Sequence, residues 1–184
     1  MALTKTPICN FGERAKNFNL KSTENKKVSI EDIKGKNGTL IMFICNHCPY
    51  VKAIIKDIVE DTKFLESWGI KSAAIMSNDV LNYPEDSFDN MISFSKLHNF
   101  SFPYLIDETQ SIAKEYGAVC TPDFFGYNKN LELQYRGRIR ELKNLNPVRK
   151  GDSDLRNAMK LVAKSGKGPS KQIPSMGCSI KWFN

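Results

Sequence analysis

The chain has 184 residues, 41% hydrophobic and 26% charged, which is enough apolar content to bury one core and to exclude disorder over most of its length. No apolar run approaches the ~18 residues of a membrane helix, and the opening MALTKTPICNFGERAK lacks a signal-type apolar region, so the sequence reads as cytoplasmic and not membrane-bound. The net charge of +7 is concentrated at one end, since residues 138–184 hold 11 Lys/Arg against 3 Asp/Glu; with no aromatics interleaved among the basic residues, this reads as a solvated tail and not as a nucleic-acid surface.

Residues 17–30 (NFNLKSTENKKVSI) read as two short strands around a polar turn, and 31–34 as a helical turn ahead of the loop from Gly35 to Gly38. Residues 39–45 (TLIMFIC) are apolar and β-branched enough for a central strand. Val51, Ile54, Ile55, Ile58, Val59, Thr62 and Leu65 then fall at helical spacing, with Lys and Asp/Glu on the opposite face and Gly69 closing the helix. Residues 70–77 (IKSAAIMS) return as a strand, which makes a βαβ unit with parallel strands.

After a loop at 78–83, Pro84 opens a helix to about His98 with Phe88, Met91, Ile92 and Ser95 inward. Residues 102–106 are extended, Asp107 caps a short helix over 108–116, and Gly117 ends it. Residues 123–128 and 131–137 flank Lys129-Asn130 as a hairpin. A last helix, about 152–165, starts from Asp152 and carries Leu155, Met159, Leu161 and Val162. A Gly/Pro/Ser-rich linker over 166–176 leads to a final stretch in which Ile180 and Trp182, beside Cys178, point to docking. The expectation is an α/β domain over 1–165, a central mixed sheet flanked by helices, with a basic tail at 166–184 packed on it.

The cysteines are Cys9, Cys45, Cys48, Cys120 and Cys178. Their odd number in a chain of this size argues against a disulfide scaffold. Cys45 and Cys48 form a C-x-x-C where the central strand turns into a helix, the sheet edge at which open α/β folds place their sites. That spacing sets the Cα atoms roughly 5–6 Å apart, which suits a disulfide. Unpaired N–H groups and the partial positive charge of a helix start favour thiolate over thiol. His47, when protonated, lowers the thiol pKa further, Lys52 adds a weaker effect, and Pro49 is tolerated in a first turn. The expected division of labour has Cys45 attack from an exposed tip and Cys48 resolve the mixed disulfide. A zinc site is the alternative for a lone C-x-x-C, but the second C-x-x-C is missing.

The block from Phe43 to Lys52 (FICNHCPYVK), Thr121-Pro122 ahead of a hairpin, and the tail from Pro174 to Trp182 (PSMGCSIKW) together resemble the thioredoxin superfamily. Within it they are most similar to the peroxiredoxin-like, AhpC/TSA-type redoxins, also described as probable thiol-disulfide oxidoreductases. The stretches Ser77-Asn78-Asp79, Tyr83-Pro84-Glu85-Asp86-Ser87 and Tyr116 to Phe125 extend the likeness. The resemblance implies a thioredoxin-like fold with an N-terminal strand extension, a cis bond before Pro122 facing the cysteines, and a Thr121 backbone that meets substrate. It makes Cys45, Cys48 and His47 the catalytic candidates and Thr121, Pro122, Asn46 and Pro49 the substrate-binding ones. It also implies no organic cofactor, no resident metal, a protein or small-molecule disulfide as substrate, and a dithiol as electron donor.

Two departures from the family pattern stand out. Peroxiredoxins carry a Thr three residues before the peroxide-attacking Cys; that position is Cys45 in one frame and Met42 in the other. A His directly before the second Cys resembles strongly oxidising disulfide enzymes, which predicts a reduction potential above thioredoxin's roughly −270 mV. The alternatives are a thiol peroxidase and a metal-binding or redox-sensing module built on Cys45, Cys48, Cys120 and Cys178. Cys120 reads as a buried small hydrophobe or a third redox group, and Cys178 as a resolving thiol or a packing residue. Cys9 reads as inert and His98 as structural. Arg136, Arg138 and Arg140 read as one face of a solvated edge strand.

Overall fold

The computed structural model describes residues 3–183. In chain order it contains β1 (Leu3–Lys5), β2 (Asn19–Ser22), β3 (Lys27–Ser29), β4 (Gly38–Phe43), α1 (Pro49–Glu66), β5 (Ile70–Met76), a 3-10 turn at Pro84–Asp86, α2 (Phe88–Leu97) and β6 (Tyr104–Ile106). It continues with α3 (Ser111–Tyr116), β7 (Cys120–Thr121), β8 (Asp123–Asn128), β9 (Leu133–Tyr135), β10 (Leu142–Lys143), β11 (Asn146–Pro147), α4 (Asp154–Ser165) and β12 (Met176–Ser179). No helix among the described residues is long and apolar enough to cross a membrane.

Seven strands form one mixed sheet in the order β3-β2-β6-β5-β4-β8-β9. β4 pairs in parallel with β5 and antiparallel with β8, and every residue of β4 is buried. The pleat sends alternate side chains of β4 to opposite faces. Leu40 and Met42 join Val51, Ile54 and Ile58 of α1 and Leu155, Met159 and Val162 of α4 on one side. Ile41 and Phe43 join Ile112, Ala113 and Tyr116 of α3 on the other. Helices therefore cover both faces, which a continuous apolar strand at the sheet centre requires.

Several local expectations are corrected. The helix expected from Pro84 is a single 3-10 turn; Ser87 then goes extended, and its hydroxyl caps α2 by accepting from the Asn90 N–H. That break leaves Asp86 fully buried and makes Met91 and Phe94 the deeply buried residues of α2. The last helix is capped by Ser153, not Asp152, and Leu161 is exposed. α3 starts at Ser111, with the Asp107 carboxylate accepting from the Ile112 and Ala113 N–H groups from outside the helix.

The polar face of α1 is not wholly solvated. Asp57 and Asp61 are each 1% exposed. A buried carboxylate is costly without a partner, and the basic C-terminal quarter supplies the partners. Arg140 and Arg149 both reach Asp57 at 2.9 Å, and Arg156 reaches Asp61 at 2.7 Å. Arg136, Arg138 and Arg140 follow β9 and are not a solvated strand: Arg136 pairs with buried Asp123 at 2.9 Å and Arg138 with Asp154 at 2.6 Å. Much of the terminal basic charge is thus internal wiring.

The tail forms a second, three-stranded sheet in the order β1-β12-β7. Cys178 stands opposite Leu3 on one side and Thr121 on the other. Ile180 is buried, whereas Trp182 stays 38% exposed with the Lys114 ammonium 5.6 Å from its ring centre. Gly177 makes the close approach possible, because a Cβ there would lie 2.0 Å from the Thr121 carbonyl oxygen. Gly177→Ala should therefore cost about 2 kcal/mol through overpacking and lower the Tm by about 4–8 °C. Thermal unfolding followed by circular dichroism reads this, and an unchanged Tm would mean that β12 does not sit against Thr121.

Candidate active site at the Cys45 to Cys48 turn

β4 ends at Phe43, and the Ile44 N–H still bonds to the Ile75 carbonyl at 3.1 Å. The chain then turns, and the Asp86 carboxylate organises the turn. Its Oδ1 accepts from the Asn46 N–H at 2.7 Å and the His47 N–H at 3.3 Å; its Oδ2 lies 2.7 Å from His47 Nδ1 and accepts from Asn78 Nδ2 at 2.8 Å. Asn46 is clamped at both ends of its amide, donating to the Glu85 carbonyl and accepting from the Tyr104 hydroxyl. The His47 ring stacks on Tyr83, with centroids 5.6 Å apart. Together these contacts hold the two residues between the cysteines.

Both thiols are buried: Cys45 is 1% exposed and Cys48 is not exposed at all. Cys45 Sγ lies 3.4 Å from Thr121 Oγ1 and 3.9 Å from His47 Nδ1. Cys48 caps α1 in an extended conformation, followed by Pro49 at the first helical position. Its sulfur sits 3.2 Å from the Thr121 carbonyl oxygen and 3.0 Å from Cys178 Sγ.

The electrostatics assign the charge. The interaction of Cys48 with the Cys45 thiol draws the Cys48 pKa down to about 5 against the opposing effect of burial, and the neighbouring Cys178 adds to the effect. Cys45 moves the other way, raised well above the ordinary thiol range by that same interaction, then by burial and by the Asp86 charge. The expected exposure is therefore corrected, since Cys45 is buried and not an exposed tip; the direction of the shifts favours the charged form at Cys48, at the helix start, over Cys45. His47 is raised by its bond to Asp86, against burial, and so stays protonated to higher pH than a free imidazole. Asp86 is held below the usual carboxylate range because His47, Asn78 and the Asn46 N–H outweigh burial.

The remaining candidates divide. The bond between Thr121 and Pro122 is cis, and Thr121 touches both sulfurs. Its backbone, however, is paired with Cys178, so the edge expected to meet substrate is filled by the chain's own tail. Asn46, expected to bind substrate, is a buried brace, and Pro49 is half-buried at the start of α1. Cys120 is fully buried, with its thiol on the Pro122 carbonyl and its pKa raised by burial, which suits a small hydrophobe. Cys9 is raised to about 11, chiefly by burial. His98 packs edge-on against Phe94 at the end of α2.

Among the described residues, the metal-type ligand atoms that converge belong to Cys45, His47 and Asp86, within 4.8 Å of one another. That set differs from the expected four cysteines, and the hydrogen bond between His47 and Asp86 already uses the Nδ1 and Oδ2 atoms that face each other. Asp86, Asn78 and Tyr104 carry the site without having been singled out from sequence. The signal for Asn78 and Asp86 lay in the Ser77-Asn78-Asp79 and Tyr83 to Ser87 stretches, which gave a likeness but no role, and Tyr104 lay in the extended stretch 102–106.

Comparison with known proteins agrees on the type of molecule. The model of the AhpC/TSA family matches residues 11–142. A thiol-disulfide oxidoreductase ResA of Bacillus thuringiensis is 28% identical over 128 residues, 69% of this chain and 69% of that protein. The crystal structure of an uncharacterized conserved protein from Geobacillus kaustophilus superposes with a TM-score of 0.93 at 38% identity, covering 100% of this chain and 97% of that one. The thioredoxin domain of a thiol-disulfide oxidoreductase from Bacteroides vulgatus shares the fold at 12% identity and a TM-score of 0.58, covering 68% of this chain and 86% of that domain.

Two titrations test the electrostatics. Thiolate absorbance of the reduced protein should show one cysteine ionising near pH 5, and Cys45→Ala should move that midpoint upward; no thiolate below neutral pH would refute the assignment. The pair formed by His47 and Asp86 stabilises the fold above the ordinary carboxylate pKa of about 3.9 and below the ordinary imidazole pKa of about 6.5. Its contribution fades as pH falls through the lowered Asp86 value or rises through the raised His47 value. Asp86→Asn should therefore lose most stability between those limits. A loss of urea midpoint that does not vary with pH would show that the pair is not the source.

Proposed function

We propose that this chain, which belongs to the AhpC/TSA family, is a thiol-disulfide oxidoreductase whose working couple is Cys45 and Cys48. The observation that carries the reading is the pair of cysteine thiols, three residues apart at the strand-to-helix turn, that both meet Thr121 beside its cis bond to Pro122. Exchange needs a thiolate to attack and a neighbouring thiol to resolve, and the turn supplies both.

In the reducing direction, the Cys48 thiolate attacks one sulfur of a substrate disulfide and expels the other as a thiolate. The resulting mixed disulfide is then attacked by Cys45. The Cys45 proton passes to the leaving substrate sulfur, and a Cys45–Cys48 disulfide remains. A dithiol donor returns the couple to its reduced form. This reading exchanges the nucleophile and resolving roles expected from sequence, on the support of the lowered pKa of Cys48 at the helix start. His47, fixed by Asp86 and 3.9 Å from Cys45, is the cation that balances thiolate charge during exchange. An open groove lined by His47, Lys52, Phe94, Leu97 and His98 runs beside the turn and fits a protein or small-molecule disulfide with apolar flanks.

Because stabilising the thiolate stabilises the reduced form, the couple should be more oxidising than thioredoxin, with a potential above roughly −270 mV. Equilibration in glutathione buffers, with alkylation and peptide mapping of the Cys45–Cys48 disulfide, measures it; a lower value refutes this part of the reading. Cys45→Ser and Cys48→Ser should each cut the dithiothreitol-driven reduction of insulin by at least about tenfold. A wild-type rate no faster than dithiothreitol alone would refute the function itself. The same lowered Cys48 pKa also favours a second reading, a thiol peroxidase with Cys48 attacking peroxide; peroxide consumption no faster than a free thiol's removes it.

A further inference from the structure

All five cysteines are free thiols, and one contact among them lies outside the Cys45 and Cys48 couple. Cys178 Sγ is 3.0 Å from Cys48 Sγ, across 130 residues of sequence. The strand that carries it is anchored along its length. The Ser175 hydroxyl donates to the Pro122 carbonyl at 2.8 Å, and the Thr6 N–H donates to the Ser175 carbonyl at 2.9 Å. The Ile180 N–H meets the Val119 carbonyl, and the Lys181 backbone bonds to Asn78 Oδ1 and to the Asp79 N–H. Gly177 removes the Cβ that would collide with Thr121. The outcome of this anchoring is a single thiol held against the Cys48 sulfur, opposite Thr121, the residue expected to receive a substrate backbone.

We propose that Cys178 is a third redox-active thiol that exchanges with Cys48, so that the oxidised protein holds either a Cys45–Cys48 or a Cys48–Cys178 disulfide. Resting on the exchange reading above, this deepens it by naming a redox partner within the chain. The step is a disulfide isomerisation. Cys178 sulfur attacks Cys48 Sγ of the Cys45–Cys48 disulfide; the bond between Cys48 and Cys178 forms, the bond between Cys45 and Cys48 breaks, and the proton leaving Cys178 goes to the departing Cys45 sulfur. No electrons enter or leave, and the oxidising equivalent moves from the sheet edge to the tail strand. A disulfide bond is about 2.05 Å long, so the observed separation closes by about 1 Å. The tail is the more open end of this relay, since Met176 and Ser179 beside Cys178 are half-buried.

Hydrogen peroxide, one equivalent on the reduced Cys45→Ser variant, tests the proposal. Peroxide converts the Cys48 thiol to a sulfenic acid with loss of water, and the Cys178 thiol then displaces a second water to form the disulfide. Alkylation and peptide mass spectrometry should find the Cys48–Cys178 peptide as the main product. Dimedone, which traps sulfenic acid, should label Cys48 at least about tenfold less in Cys45→Ser than in Cys45→Ser/Cys178→Ser. Equal labelling, or a free Cys178 thiol in oxidised Cys45→Ser, overturns the proposal. Should Cys178→Ser fail to fold, Cys178→Ala serves as the control in the same assay. Wild-type protein oxidised alongside separates this inference from its parent. A Cys45–Cys48 disulfide there, with no Cys48–Cys178 disulfide in Cys45→Ser, refutes the tail thiol alone. No Cys45–Cys48 disulfide in the wild type refutes the exchange reading.

Discussion

A fully buried carboxylate sets the geometry of the site. Asp86 is 0% exposed, and a charge removed from water is costly unless donors replace the lost hydration. Four donors do so here: two backbone N–H groups of the turn, the His47 ring and the Asn78 amide. Because three of those donors belong to the residues between the cysteines, satisfying Asp86 and shaping the turn are the same event. Removing the carboxylate would leave buried N–H groups unpaired as well as a histidine without its counter-ion. The break at Ser87, which separates the 3-10 turn from α2, is the local condition for this arrangement, since it lets Asp86 face inward while α2 continues along the sheet.

That constraint explains how charge is distributed among three buried sulfurs. The Cys45 pKa is raised first by its pairing with Cys48, then by burial and by the negative Asp86 carboxylate, while Cys45 and then Cys178 lower that of Cys48 against burial. Cys178 is itself raised to about 12, by burial and by the Cys48 sulfur 3.0 Å away. One anion with a thiol on each side is a poised arrangement. Whichever neighbour loses its proton, the sulfur it can reach is Cys48. His47, whose pKa is raised by its bond to Asp86, adds positive charge on the Cys45 side when protonated.

The sequence was most legible where periodicity and local chemistry act alone. The run Leu40 to Phe43, the helical spacing from Val51 to Leu65 and the turn at Lys129-Asn130 each specify one element, and β4, α1 and the β8–β9 hairpin follow them. The C-x-x-C announces its place because a strand end followed by a helix start is a local pattern. Legibility failed where a residue's meaning depends on a distant partner. Asp57 and Asp61 look solvated on a helical wheel, and only the arginines that follow β9 make them internal. Asp86 looks like an acid in the first turn of a helix until Ser87 breaks that helix. Asn46 looks available beside the cysteines until Tyr104 and Glu85 consume its amide.

The tail is the deepest instance of that dependence. Nothing within residues 174–182 states that β12 will occupy the backbone edge of Thr121, because the condition for it, a glycine where a Cβ would strike a carbonyl, is written jointly by Gly177 and a residue more than fifty positions earlier. Once that strand is in place, the site cannot work as an open cleft in which an exposed cysteine waits for substrate. Cys45 and Cys48 are covered, and the first sulfur beyond the couple is the chain's own. On the proposed exchange reading, this coverage favours a small oxidant or a disulfide with a thin approach over a bulky one. The tail strand that blocks the edge also brings the Cys178 thiol to 3.0 Å from the Cys48 sulfur, where it helps to lower the Cys48 pKa. Covering the site and activating it are therefore two effects of one pairing between β12 and β7.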